Sequence, residues 1–191
     1  EEGRARADLV DSYKPDEVDN ELNRLASMPI FRKNPFMLLG AIPWDFDLVA
    51  PRVKDLSAYL KATIINEGDM LHRRLRRITF CARTVSNILN HFTPGALLVT
   101  PGDRSDILVA ACLSAMNGTK IGAILLTGGF MPEQRIMALC EQAMQTGLPI
   151  LATEADTWRT SLLLHNFNME VPSDDDQRGL LDHVAGIGPL N

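Results

Sequence analysis

The chain has 191 residues, 46% of them apolar, and 24 acidic against 19 basic side chains leave a net charge of -5. That apolar fraction supports a buried core and excludes disorder throughout, and the length suits one large domain or two small ones. An acidic balance without a dominant basic face argues against nucleic acid as a partner, and apolar runs such as Ile121 to Leu126 fall far short of the roughly 18 residues that cross a bilayer. Cys81, Cys112 and Cys140 form an odd set without C-x-x-C spacing, each among apolar residues, which predicts reduced core thiols and a cytoplasmic protein. No charged-then-apolar leader is visible, so no secretion signal is expected. The initial Glu1 reads as the start of a piece of a longer chain.

In chain order, Val18, Leu22, Leu25 and Met28 follow Pro15 at helical spacing and predict an amphipathic helix over Asp16 to Met28. Phe36 to Ile42 is a continuous apolar run ended by Pro43, the pattern of a strand buried on both faces, and a loop follows to Pro51. A helix is expected over Val53 to Leu60, then a short strand over Ala62 to Asn66 stopped by Glu67 and Gly68. Regular alternation follows: strand Ile78 to Ala82, helix Thr84 to Phe92, strand Ala96 to Thr100 and helix Ser105 to Met116. It continues with strand Ile121 to Thr127, helix Pro132 to Gln145, strand Leu148 to Ala152 and a helix from about Asp156 to Asn166. Apolar strands alternating with helices make the fold class α/β, with a mostly parallel sheet covered on both faces. Pro132 is placed in the first turn of its helix, and Gly118 and Gly147 follow helices where a left-handed residue is wanted.

Helix N-termini converge beyond the carboxyl ends of parallel strands, and three loops occupy that edge. In Thr100 to Asp106, Gly102 permits tight backbone geometry, Asp103 or Ser105 can cap the next helix, and Arg104 offers a planar donor for a carboxylate or phosphate. In Thr127 to Pro132, Gly128 and Gly129 allow close backbone approach and Thr127 adds a hydroxyl. The third loop, Thr153 to Trp158, brings Thr153, Thr157, Glu154, Asp156 and an aromatic ring. Together the three can form one polar ligand pocket, although each is also what an ordinary strand-to-helix turn requires, and Arg104 can pair with Asp103, Asp106 or Glu154.

No phosphate-binding P-loop, G-x-G-x-x-G, H-E-x-x-H or G-x-S-x-G motif is present. His72, His91, His165 and His183 lack metal-like neighbours at helical spacing, so no metal is expected. The basic run His72 to Arg77 reads as a solvated face or subunit contact, with an anionic partner as the alternative, and Asp174 to Asp176 as a solvated linker.

Asp103-Arg104 after an apolar strand, followed one strand-helix unit later by Thr127-Gly128-Gly129, resembles the signature of the DRTGG domain family, over roughly residues 55 to 171. Pro94 to Thr100, Asp106 to Ala111 and Gly147 to Pro149 carry the same likeness. Leu39 to Trp44, Ala62 to Gly68, Thr157 to Leu162 and Phe167 to Pro172 resemble the middle of the long bacterial phosphate acetyltransferases. That resemblance implies a parent with a P-loop-like domain similar to dethiobiotin synthetase, a central DRTGG domain, and a catalytic domain interconverting acetyl-CoA and phosphate with acetyl phosphate and CoA. Residues 1–52 would then be the tail of the first part, 53–172 the DRTGG domain as a three-layer sandwich, and 173–191 a linker toward a catalytic domain not contained in this chain. The resemblance implies regulation and homo-oligomer assembly, with pyruvate, phosphoenolpyruvate, NADH and ATP as candidate effectors. It transfers Asp103, Arg104, Thr127, Gly128 and Gly129 as a structural and ligand-binding signature, and no catalytic residue or cofactor. Two other readings stay open: a purely structural assembly module, for which the apolar helix Ile107 to Met116 would supply a contact surface, and an independent enzyme using Asp103, Glu154 and Asp156.

Overall fold

The computed structural model describes residues 20, 23–29 and 50–167. The chain divides into two units, residues 1–45 with 176–191, and residues 46–175. In the first, residues 23–27 are helical, within the predicted amphipathic helix. The strand expected over Phe36 to Ile42 and the acidic run Asp174 to Asp176 lie outside the described residues.

The second unit opens with α1 (Val53–Leu60), whose boundaries are those the sequence predicts. Arg52 and Asp55 tie its first turn together, the Asp55 carboxylate accepting from both the backbone and guanidinium of Arg52. The elements after it are β1 (Thr63–Asn66), β2 (Arg77–Phe80), α2 (Val85–Ile88) running into a 3-10 turn (Leu89–His91), and β3 (Ala96–Pro101). Then come α3 (Ser105–Met116), β4 (Ala123–Thr127), α4 (Gln134–Met144), β5 (Ile150–Ala152) and α5 (Thr157–Asn166). β2 ends at Phe80, and β4 and β5 begin only at Ala123 and Ile150, shorter than expected; two helix expectations shift as well. The helix predicted over Thr84 to Phe92 tightens after Ile88, and Pro132 stands outside α4, because Glu133 before the helix is still extended at φ -58° and ψ 145°.

The five strands lie in the order β1-β5-β4-β3-β2, with β2 to β5 parallel and β1 antiparallel to β5. Because β2, β3, β4 and β5 follow one another across the sheet, crossovers of one hand place α2, α3 and α4 on the same face. The core confirms this. Leu98, Ile124, Leu126 and Ile150 point to a layer with Ile88, Ile107, Leu108, Ala111, Cys140 and Ala143, whereas Leu97, Val99, Leu125 and Leu151 point to Val53, Leu56 and Leu164 of α1 and α5. The central strands are thus covered on both sides, which is why they read as unbroken apolar runs. On the second face the Tyr59 hydroxyl donates to the Leu163 carbonyl at 3.2 Å, and the rings of Tyr59 and Phe167 stand 5.0 Å apart.

Cys81, Cys112 and Cys140 are buried free thiols of the first layer. Burial raises the Cys81 thiol to about 11 against a nearby Arg104 charge that lowers it, and raises Cys112 as well, with Cys140 beside it adding to the effect. The folded state therefore holds protons that the unfolded chain releases from about pH 9 upward, so stability falls as pH rises from about 9 to 11. Urea unfolding at pH 8 and pH 10 is expected to show a lower midpoint at pH 10, with the thiols unreactive toward a disulfide reagent until the chain unfolds.

Candidate functional site

Adjacent parallel strands send their helices to opposite faces at one place in this sheet: β4 leads to α4 on one side and β5 to α5 on the other. A crevice is expected where connections part in this way. Thr127, Gly128 and Gly129 leave β4 there, and Thr153 to Thr157 leave β5.

The crevice is bridged by the backbone. Gly128 N-H donates to the Ala155 carbonyl at 2.8 Å and Gly129 N-H to the Thr153 carbonyl at 3.0 Å. Both glycines are left-handed, φ +86° and +70°, the geometry that turns two successive amides toward the neighbouring loop at no steric cost. Side chains continue the seam, with Thr127 Oγ1 2.8 Å from Thr157 Oγ1 and Thr153 Oγ1 accepting from Ala155 N-H at 3.3 Å. The Glu154 carboxylate reaches Gly129, where an added Cβ would stand 2.5 Å from Glu154 Oε2. On the other side Gly102 N-H donates to the Thr127 carbonyl at 3.0 Å, and a Cβ on Gly102 would stand 1.9 Å from the Phe130 carbonyl oxygen. The three loops predicted to meet do meet, welded through glycine amides.

Arg104 and Asp103 sit on the rim. Neither Asp103 nor Ser105 caps α3. Arg104 occupies the N-cap position without a side-chain cap bond, because a tight turn, with Arg104 N-H to the Pro101 carbonyl and Ser105 N-H to the Asp103 carbonyl, leaves Asp103 exposed outside the helix. Asp106 supplies the first-turn negative charge instead. Of the three acids open to Arg104, the structure selects Asp106: Nε and Nη2 each lie 2.8 Å from a different carboxylate oxygen, and Nη2 also donates to the Arg83 carbonyl at 3.2 Å. Hydrogen bonding to Asp106 raises the guanidinium's already high pKa, and the reciprocal bond from Arg104, with the Ile107 amide, holds Asp106 below the usual carboxylate range. With side-chain exposures of 31% and 49%, the pair is a surface ion pair of small net worth. Asp156 is committed to α5, its carboxylate accepting from Arg159 N-H at 2.7 Å. Among the described residues no cluster of His, Cys, Asp and Glu is arranged to hold a metal, and no helix is long and apolar enough to cross a membrane.

Sequence reading placed Thr127, Gly128, Gly129, Thr153 and Thr157 together but missed Phe130 and Ala155. Both act through main-chain carbonyls, which side-chain identity does not announce. It also missed the contrast between two strand-end hydroxyls. Thr127 faces α5 and has its partner, whereas Thr100, one strand away and on the opposite face, is fully buried with Oγ1 making no hydrogen bond. Thr100→Val is therefore expected to leave stability unchanged or raise it by up to about 1 kcal/mol, while Thr127→Val, which strands Thr157, costs about 1 kcal/mol. Urea midpoints of the two variants check this, and a loss at Thr100 equal to that at Thr127 would mean its hydroxyl has a partner in solution.

A family model described as the DRTGG domain matches residues 55–167, more than half of the chain. The phosphate acetyltransferase of Escherichia coli is 50% identical over 178 residues, covering 93% of this chain and 25% of that protein. That of Salmonella typhimurium is 49% identical over the same length and the same shares. The chain thus spans about a quarter of the length of these relatives. The solved CBS and DRTGG domains of the regulatory region of Clostridium perfringens pyrophosphatase, complexed with the activator diadenosine tetraphosphate, match with a TM-score of 0.49 and 15% identity, over 69% of this chain and 56% of that one. With its signature residues gathered at one edge of the sheet and the family model spanning all but the first turns of the described domain, the chain belongs to the DRTGG domain family.

Proposed function

We propose that this chain is a regulatory and assembly segment of a phosphate acetyltransferase, itself non-catalytic, within a parent that interconverts acetyl-CoA and phosphate with acetyl phosphate and CoA. The identity of about 50% to such enzymes across 93% of the chain carries this reading. On it, residues 1–52 are the tail of a P-loop-like domain, 53–172 the DRTGG domain and 173–191 a linker, and the segment acts in a cytoplasmic homo-oligomer.

The carboxyl-edge seam is the proposed sensor, with Asp103, Arg104, Thr127, Gly128, Gly129, Thr153 and Thr157 around it. Arg104 already grips a carboxylate with two nitrogens, the geometry that suits an anionic metabolite such as pyruvate, phosphoenolpyruvate, or the phosphates of NADH or ATP. Because the Arg104–Asp106 pair is exposed and weak, exchanging Asp106 for a ligand anion costs little. Such exchange would free the Arg83 carbonyl contact as well and so link the rim to the turn after β2.

A second reading, a purely structural assembly module, draws on the glycine amides: Gly102, Gly128 and Gly129 all spend their N-H groups on neighbouring loops. Thermal unfolding against pyruvate, phosphoenolpyruvate, NADH, ATP, acetyl phosphate, CoA and phosphate separates the two. A ligand at 100 times its Kd adds about 2.7 kcal/mol and raises the midpoint by several degrees. A selective rise abolished by Arg104→Ala supports the sensor, and no rise with any of them supports the structural module.

A further inference from the structure

α3 is the middle helix of the layer formed by α2, α3 and α4, and it is apolar on every side. From Ile107 to Met116 it holds no charged residue, whereas α1, α4 and α5 each carry exposed charges. One side of α3 is accounted for: Ile107, Leu108, Ala111, Cys112 and Ala115 are buried in the core of this layer. The other side runs through Val109, Ala110, Leu113 and Met116 at helical spacing, with Leu113 53% and Met116 41% exposed. A helix that is apolar all round belongs in a position covered on all sides.

Nothing polar on this stripe asks for water. The Ser114 hydroxyl at its side donates to the Ala110 carbonyl of the same helix at 3.0 Å, so the face can be dried without stranding a donor. Ala110 and Ser114, four residues apart, are small enough to let a second helix approach closely. Exposed apolar side chains continue on the flanking elements, Leu89 after α2 and Leu139 of α4, the latter 67% exposed. A continuous apolar surface of this kind marks an interface rather than a solvated face.

The charges at the two ends of α3 indicate what covers it. Asp103 and Asp106 against Arg104 leave the N-terminal end negative. At the C-terminal end Met116 lies in one groove with Lys120 and three arginines against the single acid Asp69, so that end is positive. A two-fold axis across α3 sets two copies antiparallel, which brings each negative end to the partner's positive end and opposes the helix dipoles favourably. Leu113 stands seven residues from Asp106 and seven from Lys120. The arrangement that matches the charges therefore also seats Leu113 on the axis, against the same residue of the second copy.

We propose that the outer face of α3 is a two-fold homodimer contact, in which Val109, Ala110, Leu113 and Met116 of two antiparallel helices pack together. The proposal rests on the homo-oligomer reading above and gives it a surface, a symmetry and a register.

Sedimentation equilibrium of the 191-residue chain and its variants tests this. The expected result is a reversible dimer whose Kd rises about a hundredfold in Leu113→Asp, which places two carboxylates at the axis. Lys120→Glu, at the rim, is expected to raise Kd about tenfold by turning two attractive contacts into repulsive ones. Leu113→Cys gives a further reading by chemical labelling. The three native thiols are buried, so a maleimide reports on the introduced thiol, which is expected to label freely at dilution and to become protected as the dimer forms. A dimer that Leu113→Asp leaves intact overturns this face and keeps the homo-oligomer reading, whereas a chain that stays monomeric overturns both this face and assembly through this segment. An introduced thiol protected at every dilution overturns the proposal by showing that another part of the same chain covers α3. One labelled equally at every concentration overturns it by showing that no second copy docks there.

Discussion

Gly102→Ala is expected to destabilise the domain by about 3 kcal/mol and to lower its Tm by about 10 °C. The new Cβ would stand 1.9 Å from the Phe130 carbonyl oxygen and 2.8 Å from its carbon, and the obstacle is backbone that cannot swing aside as a side-chain tip would. Moving the loops apart would stretch the Gly102 bond to the Thr127 carbonyl, and with it the Gly128 and Gly129 bonds across the crevice. Gly118→Ala is the control. That glycine is left-handed at φ +93° with nothing within 4 Å of its Cβ position, so its substitution carries only the conformational cost of about 1 kcal/mol. Gly102 is not left-handed, so its cost is steric alone. Thermal unfolding of the two variants isolates the seam, and equal losses would mean that the loops slide freely.

At the other edge, Arg73→Met is expected to cost about 2–3 kcal/mol, because two carbonyls lose a charged donor while the replacement keeps most of the stem's packing. Arg73 joins the segment before β2 to Ile121, on the connection that enters β4, and to the loop after α4. Nearby bonds run in the same direction, from Asn66 Nδ2 to the Leu148 carbonyl at 2.6 Å and from Asp69 N-H to the Gly147 carbonyl at 2.9 Å. Burial lowers the guanidinium's pKa against the opposing pull of Asp69, but from a value so high that the group stays charged. Arg73→Lys retains the charge with a single compact donor that cannot span both carbonyls, and is expected to recover about half the loss. Urea unfolding of both variants checks this, and an Arg73→Met protein as stable as the parent would show that the carbonyls are met by solvent.

Most of the domain was legible in the sequence because its signals are local. Val53 to Leu60 and Ser105 to Met116 declare their boundaries by periodicity and flanking residues, and both stand as predicted. The apolar runs of β3, β4 and β5 correctly announce strands buried on both faces. What stayed hidden depends on contacts between distant residues. Thr84 to Phe92 carries a helical composition, yet only Val85–Ile88 keeps α-helical geometry before the turn tightens. The glycine pair was read as room for a ligand's close approach, and its amides turned out to be taken by the next loop. Arg73 lay inside a basic run taken for a solvated face, since nothing in its neighbours shows that two carbonyls from residues 121 and 146 wait beside it.

The contact of Tyr59 with Leu163 and Phe167 has a mechanical meaning. The end of α5 packs on the end of α1, and α1 begins about 10 Å from Tyr59, one short helix length, so the entry and exit of the described residues lie on one face. A module with adjoining ends can be spliced into or out of a longer polypeptide without changing the reach of what precedes and follows it. A circular permutant that links residue 167 back to residue 53 and opens elsewhere would keep every strand pairing. Tension pulled between those two ends would act first on α1 and α5, which carry them, and reach the strands only through the packing of Val53, Leu56 and Leu164 on the sheet.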